Sequence, residues 1–150
     1  MIRRSAALVA LVLAACTAGG VPSSSGGGGG VTINVSLTQF AQTPTPYGTS
    51  LGYSPAVTTV SVGTQIHFVN VDTFAHTATA IPGATTFPGT SPFTAKALQQ
   101  TGTTLSGGFT SGALQPNGSS QNITADRPGT YLFGCFFHYG AGMRAAIVAQ

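Results

Sequence analysis

The chain has 150 residues, of which only 5% are charged, with 21 glycines and no tryptophan. That length allows one domain with a substantial core. Its formal charge of +3 counts Arg3 and Arg4, which lie in a segment expected to be removed. Beyond that segment Lys96, Arg127 and Arg144 stand against Asp72 and Asp126, with no basic stripe and no interleaved aromatics, which excludes nucleic acid as a partner.

The first residues read MIRRSAALVALVLAAC. Two arginines precede an apolar run too short to span a bilayer comfortably, the form of an export signal over residues 1–15. The run ends in LAAC, Leu13 to Cys16, which resembles a bacterial lipoprotein signal. In that class the cysteine is lipidated and becomes the mature N-terminus, so Cys16 is the expected lipidation site. The protein is then expected to be exported to the periplasm or another extracytoplasmic face and anchored to a membrane. Thr17 to Gly30 (TAGGVPSSSGGGGG) holds no core-forming pattern and reads as a flexible tether with an end-to-end distance of about 20 Å. Lipid on Cys16 would leave Cys135 without a partner in the chain, and a leftover thiol in an exported protein calls for a reason.

The folded part is expected over residues 31–150. VTINVSL alternates Val31, Ile33, Val35 and Leu37 on one face, as a half-buried strand does. AVTTVSVGTQIHFVNVD reads as two strands broken at Gly63, with Ile66 and Phe68 inward and His67 outward on the surface. HTATAIP continues as strand to Pro82. The stretch from Gly83 to about Gly108 is the least regular. Ser91 as a cap and Pro92 in the first turn predict a short helix or a turn-rich loop there. SSQNITA and GTYLFGCFF read as strands joined by DRPG, and MRAAIVAQ closes the chain. Tyr131 has the place of a Greek-key tyrosine corner, and Arg144 is expected to be solvated. Seven or eight short strands with Gly/Pro-rich turns predict an all-β, two-sheet Greek-key sandwich.

GCFFHYGAGM, Gly134 to Met143, gathers a cysteine, a histidine and a methionine in a chain that has two, three and two of these. A thiolate, an imidazole and a thioether suit copper in both oxidation states, whereas structural zinc rarely takes methionine. An electron-transfer copper centre needs a second imidazole, and His76 in NVDTFAHTAT stands where a strand ends.

These residues carry a family resemblance. GTYLFGCFFHYGAGMRAAIV is similar to the copper loop of plastocyanin, in the cupredoxin family, with the spacing Cys-x2-His-x4-Met and GAGM matched letter for letter. FVNVDTFAH resembles the upstream ligand segment. The resemblance covers roughly Val31 to Gln150 and is poorest over Gly83 to Gly108. It implies one type 1 copper ion held by His76, Cys135 and His138, with Met143 as the long axial ligand. It also implies that the Thr77 N–H donates to the Cys135 sulfur and that Phe136 and Phe137 wall the site. The implied function is one-electron transfer by a monomer, with no enzymatic step, to redox proteins docking near His138. A copper-buffering or delivery module is the alternative. An oxidase or nitrite reductase would need further histidines. One departure is plain: plastocyanin has tyrosine before its copper cysteine, and Gly134 stands there, so the remote electron port of that family is not expected.

Overall fold

The computed structural model describes residues 30–150. The expected export signal, Cys16 and the tether up to residue 29 lie outside the described residues. Twelve strand segments stand among the described residues, more numerous and shorter than the pattern predicts. They are β1 (Val31–Val35), β2 (Thr43–Thr45), β3 (Gly48–Ser50), β4 (Tyr53–Ser54), β5 (Val57–Val60) and β6 (Gln65–Asn70). There follow β7 (Thr79–Ala80), β8 (Gln100–Thr101), β9 (Thr110–Ser111), β10 (Ile123–Thr124), β11 (Gly129–Gly134) and β12 (Arg144–Ala149). One sheet runs β10-β6-β1-β4 and the other β5-β12-β11-β7-β9-β8, with β2 and β3 as a separate hairpin. The pairs β1–β6 and β5–β12 are parallel. The fold is the all-β sandwich the sequence predicts.

Alternation decides what lies between the sheets. Ile33 and Val35 of β1, Ile66 and Phe68 of β6, Phe133 of β11 and Ile147 of β12 are all buried in one core cluster. The Phe133 ring meets Tyr53 at 4.8 Å and Phe68 at 5.1 Å, both edge-on, the arrangement that aromatic quadrupoles favour. Phe133→Ala should therefore cost about 3–5 kcal/mol, read as a lower urea midpoint at unchanged slope. His67 faces outward as expected, although it is half-buried and its Nε2 lies 3.0 Å from Thr32 Oγ1.

Several elements depart from the pattern. HTATAIP forms strand only over β7, and β11 ends at Gly134, so Cys135, Phe136 and Phe137 belong to a loop. SSQNITA pairs only through β10 and an isolated bridge from Ser119 to Val69. In the irregular stretch the expected helix is a single 3-10 turn, Ala95–Leu98, flanked by Thr94 rather than capped by Ser91. This stretch is not an excursion into solvent. Ile81, Ala84, Phe87 and Phe93 pack on the outer face of the second sheet against Leu132, Tyr139 and Ala146. A sheet covered on both faces buries consecutive residues, which is why Leu132 and Phe133 are both apolar. Tyr131 is the expected corner: its hydroxyl donates to the Arg127 carbonyl at 3.0 Å. Arg144, expected in water, is half-buried instead. Its guanidinium lies 5.4 Å from the Phe87 and Tyr139 ring centres and donates to the carbonyls of Thr49 and Pro88.

Candidate metal centre

Two loops at one end of the sandwich build the site. The first leaves β6 at Asn70. The buried Asn70 amide donates to the carbonyls of Phe74 at 2.8 Å and Leu114 at 2.9 Å, and its oxygen accepts the Asp72 N–H at 2.9 Å. Those bonds fix the turn that delivers His76. A bridge with Leu114, through both backbone groups, then holds His76 in place. The second loop runs from Cys135 to Met143. The Cys135 N–H donates to the Met143 carbonyl at 3.0 Å, and the Met143 N–H donates to the His138 carbonyl at 3.2 Å. A 3-10 turn over Tyr139–Ala141 reverses the chain and ends at Gly142, whose φ of 97° suits glycine.

The loops are sewn together at Thr77. Its N–H donates to Cys135 Sγ at 3.4 Å, as the resemblance implies. Its hydroxyl oxygen accepts the Phe136 N–H at 2.8 Å, and its carbonyl accepts the Tyr53 hydroxyl at 2.5 Å. The sulfur position is thereby set from both sides before any metal enters.

His76, Cys135 and His138 bring three ligand atoms within 4.8 Å of one another. His76 Nδ1 lies 3.8 Å and His138 Nδ1 3.6 Å from Cys135 Sγ, and the two Nδ1 atoms are 3.2 Å apart. Cys135 is a free thiol with no solvent exposure, and its neighbours His76 and Met143 are equally buried. Met143 lies against Gly52, where an added Cβ would fall 2.7 Å from its Cγ and 3.2 Å from its Sδ. Only glycine leaves room for that thioether. Two imidazoles, a thiol and a supported thioether fit copper by the chemistry of the set, and its softness disfavours zinc.

Burial governs the ionisation of the metal-free site. It pushes the Cys135 thiol up, with N–H groups of Thr77, His138 and Phe137 pulling the other way. Copper must therefore displace a proton from sulfur. Burial also holds both rings below the usual histidine value; for His76 the Asp72 contact opposes this and the neighbouring His138 adds to it. Both rings are thus neutral in the native state at neutral pH. Above about pH 6.5 they are neutral in the unfolded chain too and contribute nothing to the pH dependence. Below it the unfolded chain takes up protons that the native site excludes. The metal-free domain should then lose stability on acidification from about pH 6.5, by at most ~1.4 kcal/mol per pH unit for each ring. Urea midpoints measured across pH 7.5 to 5 check this.

One residue of the site escapes a reading of the sequence alone. Asp72, which counts there only as one of two acids, is buried and places Oδ2 3.2 Å from His76 Nε2. A scarce acid four residues before a ligand histidine was the available signal. Phe133 is core, whereas Phe136 is half-buried and Phe137 is exposed, so the expected apolar wall is partly an outer surface.

Among solved structures, a novel purple cupredoxin from Nitrosopumilus maritimus is 17% identical at a TM-score of 0.51, covering 80% of this chain and 99% of that one. A mutant plastocyanin of fern is 20% identical at 0.50, covering 80% and 100%. A reduced mutant of amicyanin is 14% identical at 0.52, covering 81% and 83%. These likenesses establish a shared fold. No curated protein matches the chain. The family model for copper binding proteins of the plastocyanin/azurin family matches residues 42–150. With a His-Cys-His-Met set gathered at one end of a β-sandwich and that match over most of its length, the chain belongs to the plastocyanin/azurin family of copper binding proteins.

Proposed function

We propose that the chain is a membrane-tethered carrier of single electrons, anchored through lipid on Cys16 at an extracytoplasmic face. The observation that carries the reading is the convergence of His76 Nδ1, Cys135 Sγ and His138 Nδ1 inside a buried, hydrogen-bonded pocket. These three, together with Met143, would hold the copper. A type 1 copper ion supplies a one-electron Cu(II)/Cu(I) couple with no bond made to a substrate. The residues' task is to stay still while the charge changes. Hydrogen bonds at Thr77, Asn70 and Met143 restrain every ligand-bearing segment.

Partners would dock around His138. Phe74 and Phe137, 36% and 45% exposed, flank its ring at 5.4 and 6.1 Å and offer an apolar face. Neither acid of the folded part is free to build an acidic patch. Asp72 is buried in the site, and Asp126 stands beside Arg127, which offsets its charge. Reaction rates with redox partners should then depend weakly on ionic strength.

Copper titration of the purified chain tests the reading. One Cu(II) per chain with an intense visible band and a narrow paramagnetic signal is expected. Electron self-exchange should outpace copper transfer to a chelator; the reverse ranking would favour the buffering alternative. The anchor is tested separately: Cys16→Ala should move the protein from the membrane to the soluble fraction.

A further inference from the structure

The buried ligand His76 is gripped from behind by an acid. Six polar contacts converge on the Asp72 carboxylate. Oδ2 receives the Ser36 hydroxyl at 3.1 Å, the Leu37 N–H at 2.8 Å and the Thr38 N–H at 3.3 Å, and lies 3.2 Å from His76 Nε2. Oδ1 accepts the Thr38 hydroxyl and the Thr73 N–H, each at 2.9 Å. Five donors besides the ring thus point at the two oxygens, and a carboxyl group that only accepts is a carboxylate.

An ionised carboxylate only accepts hydrogen bonds. The ring nitrogen facing it, Nε2, must therefore carry the proton. A neutral imidazole has one N–H, so Nδ1 is left bare, and Nδ1 is the atom that faces Cys135 Sγ and His138 Nδ1. The same negative charge makes the ring a stronger electron donor. It also counts differently in the two oxidation states. With a thiolate and a carboxylate nearby, a bound Cu(II) would be balanced, whereas Cu(I) would leave one excess negative charge in a buried site.

We propose that Asp72 is the positioning residue that sets His76 in its metal-ready tautomer and biases the centre toward the oxidised state. This deepens, and rests on, the reading of the site as a redox copper centre. Asp72 touches no ligand atom directly and acts through His76.

The test has one arm without metal and one with it. In the metal-free full chain, nitrogen NMR of the histidine rings should find His76 protonated at Nε2 and bare at Nδ1. Asp72→Asn should lose that preference. In the copper-loaded protein, Asp72→Asn should lower the preference for Cu(II) over Cu(I) by tenfold or more, which for one electron is a rise of about 59 mV in potential. Thr38→Val is the companion variant. Thr38 is exposed, so the fold is retained; losing its hydroxyl bond leaves more of the carboxylate's charge for His76 and should shift the potential the opposite way. A wild-type His76 protonated at Nδ1, or a Thr38→Val potential that stays put or moves upward, overturns the proposal whether or not Asp72→Asn folds. Failure of the wild-type chain to take up copper would strike the electron-carrier reading and the redox bias, while the metal-free tautomer still decides the positioning role.

Discussion

Cys135→Ser should remove the intense visible band of the copper-loaded protein altogether. That band needs a thiolate bonded to Cu(II), and Cys135 is, among the described residues, the thiol that the fold places beside two imidazole nitrogens. Cu(II) affinity should fall by more than the ~10–100-fold that even an outer partner of a ligand is worth. The loss is not a folding artefact. The serine would sit in the same buried place, where the Thr77 N–H can donate to its oxygen, so the stability cost stays within about 1–3 kcal/mol. Absorption, paramagnetic resonance and a urea titration of the same preparation separate the two effects. A variant that keeps the full band would show that copper is not bound through Cys135.

Gly134→Tyr, which restores the tyrosine seen before the copper cysteine in plastocyanin, should damage the site rather than add an electron port. The obstacle is space. A Cβ on Gly134 would fall 2.8 Å from Tyr139 Cδ2 and 3.0 Å from the Met143 carbonyl oxygen. Neither can give way cheaply. The Tyr139 hydroxyl donates to the Pro88 carbonyl at 2.9 Å, and its ring stands perpendicular to Phe93 with centres 5.4 Å apart. The Met143 carbonyl holds the Cys135 N–H. Even Gly134→Ala should cost about 1–3 kcal/mol, and tyrosine more, with an altered paramagnetic spectrum because Met143 shifts. Unfolding of the metal-free protein and spectra of the loaded one read the two consequences. Combining Gly134→Ala with Tyr139→Ala should recover part of the stability, and no recovery would mean that the ring is not the obstacle.

Tyr139 occupies the room above Gly134 because Phe93, Pro88 and Arg144 hold it there. The segment after Ile81 thus braces the copper loop from outside, through the same aromatic cluster that covers the second sheet.

The sandwich and the candidate ligand set were legible in the residue pattern. Val31 to Leu37 and Gln65 to Asn70 alternate because each strand has one wet and one dry face, and period two is readable locally. Scarce Cys, His and Met at fixed spacing are likewise a local record of ligand chemistry. Contacts between segments distant in the chain emerged with the folded molecule. No spacing states that Asp72 turns its carboxylate onto His76 while Ser36, Leu37 and Thr38 supply donors from another strand's end. Nor does any pattern foretell Gly52 clearing room for Met143, 91 residues on, or Arg144 leaving water for the rings of Phe87 and Tyr139. The physical reason is common to all three. Periodicity records which side of an element is buried, whereas hydrogen-bond partners and steric clearance depend on what another element brings to the same place.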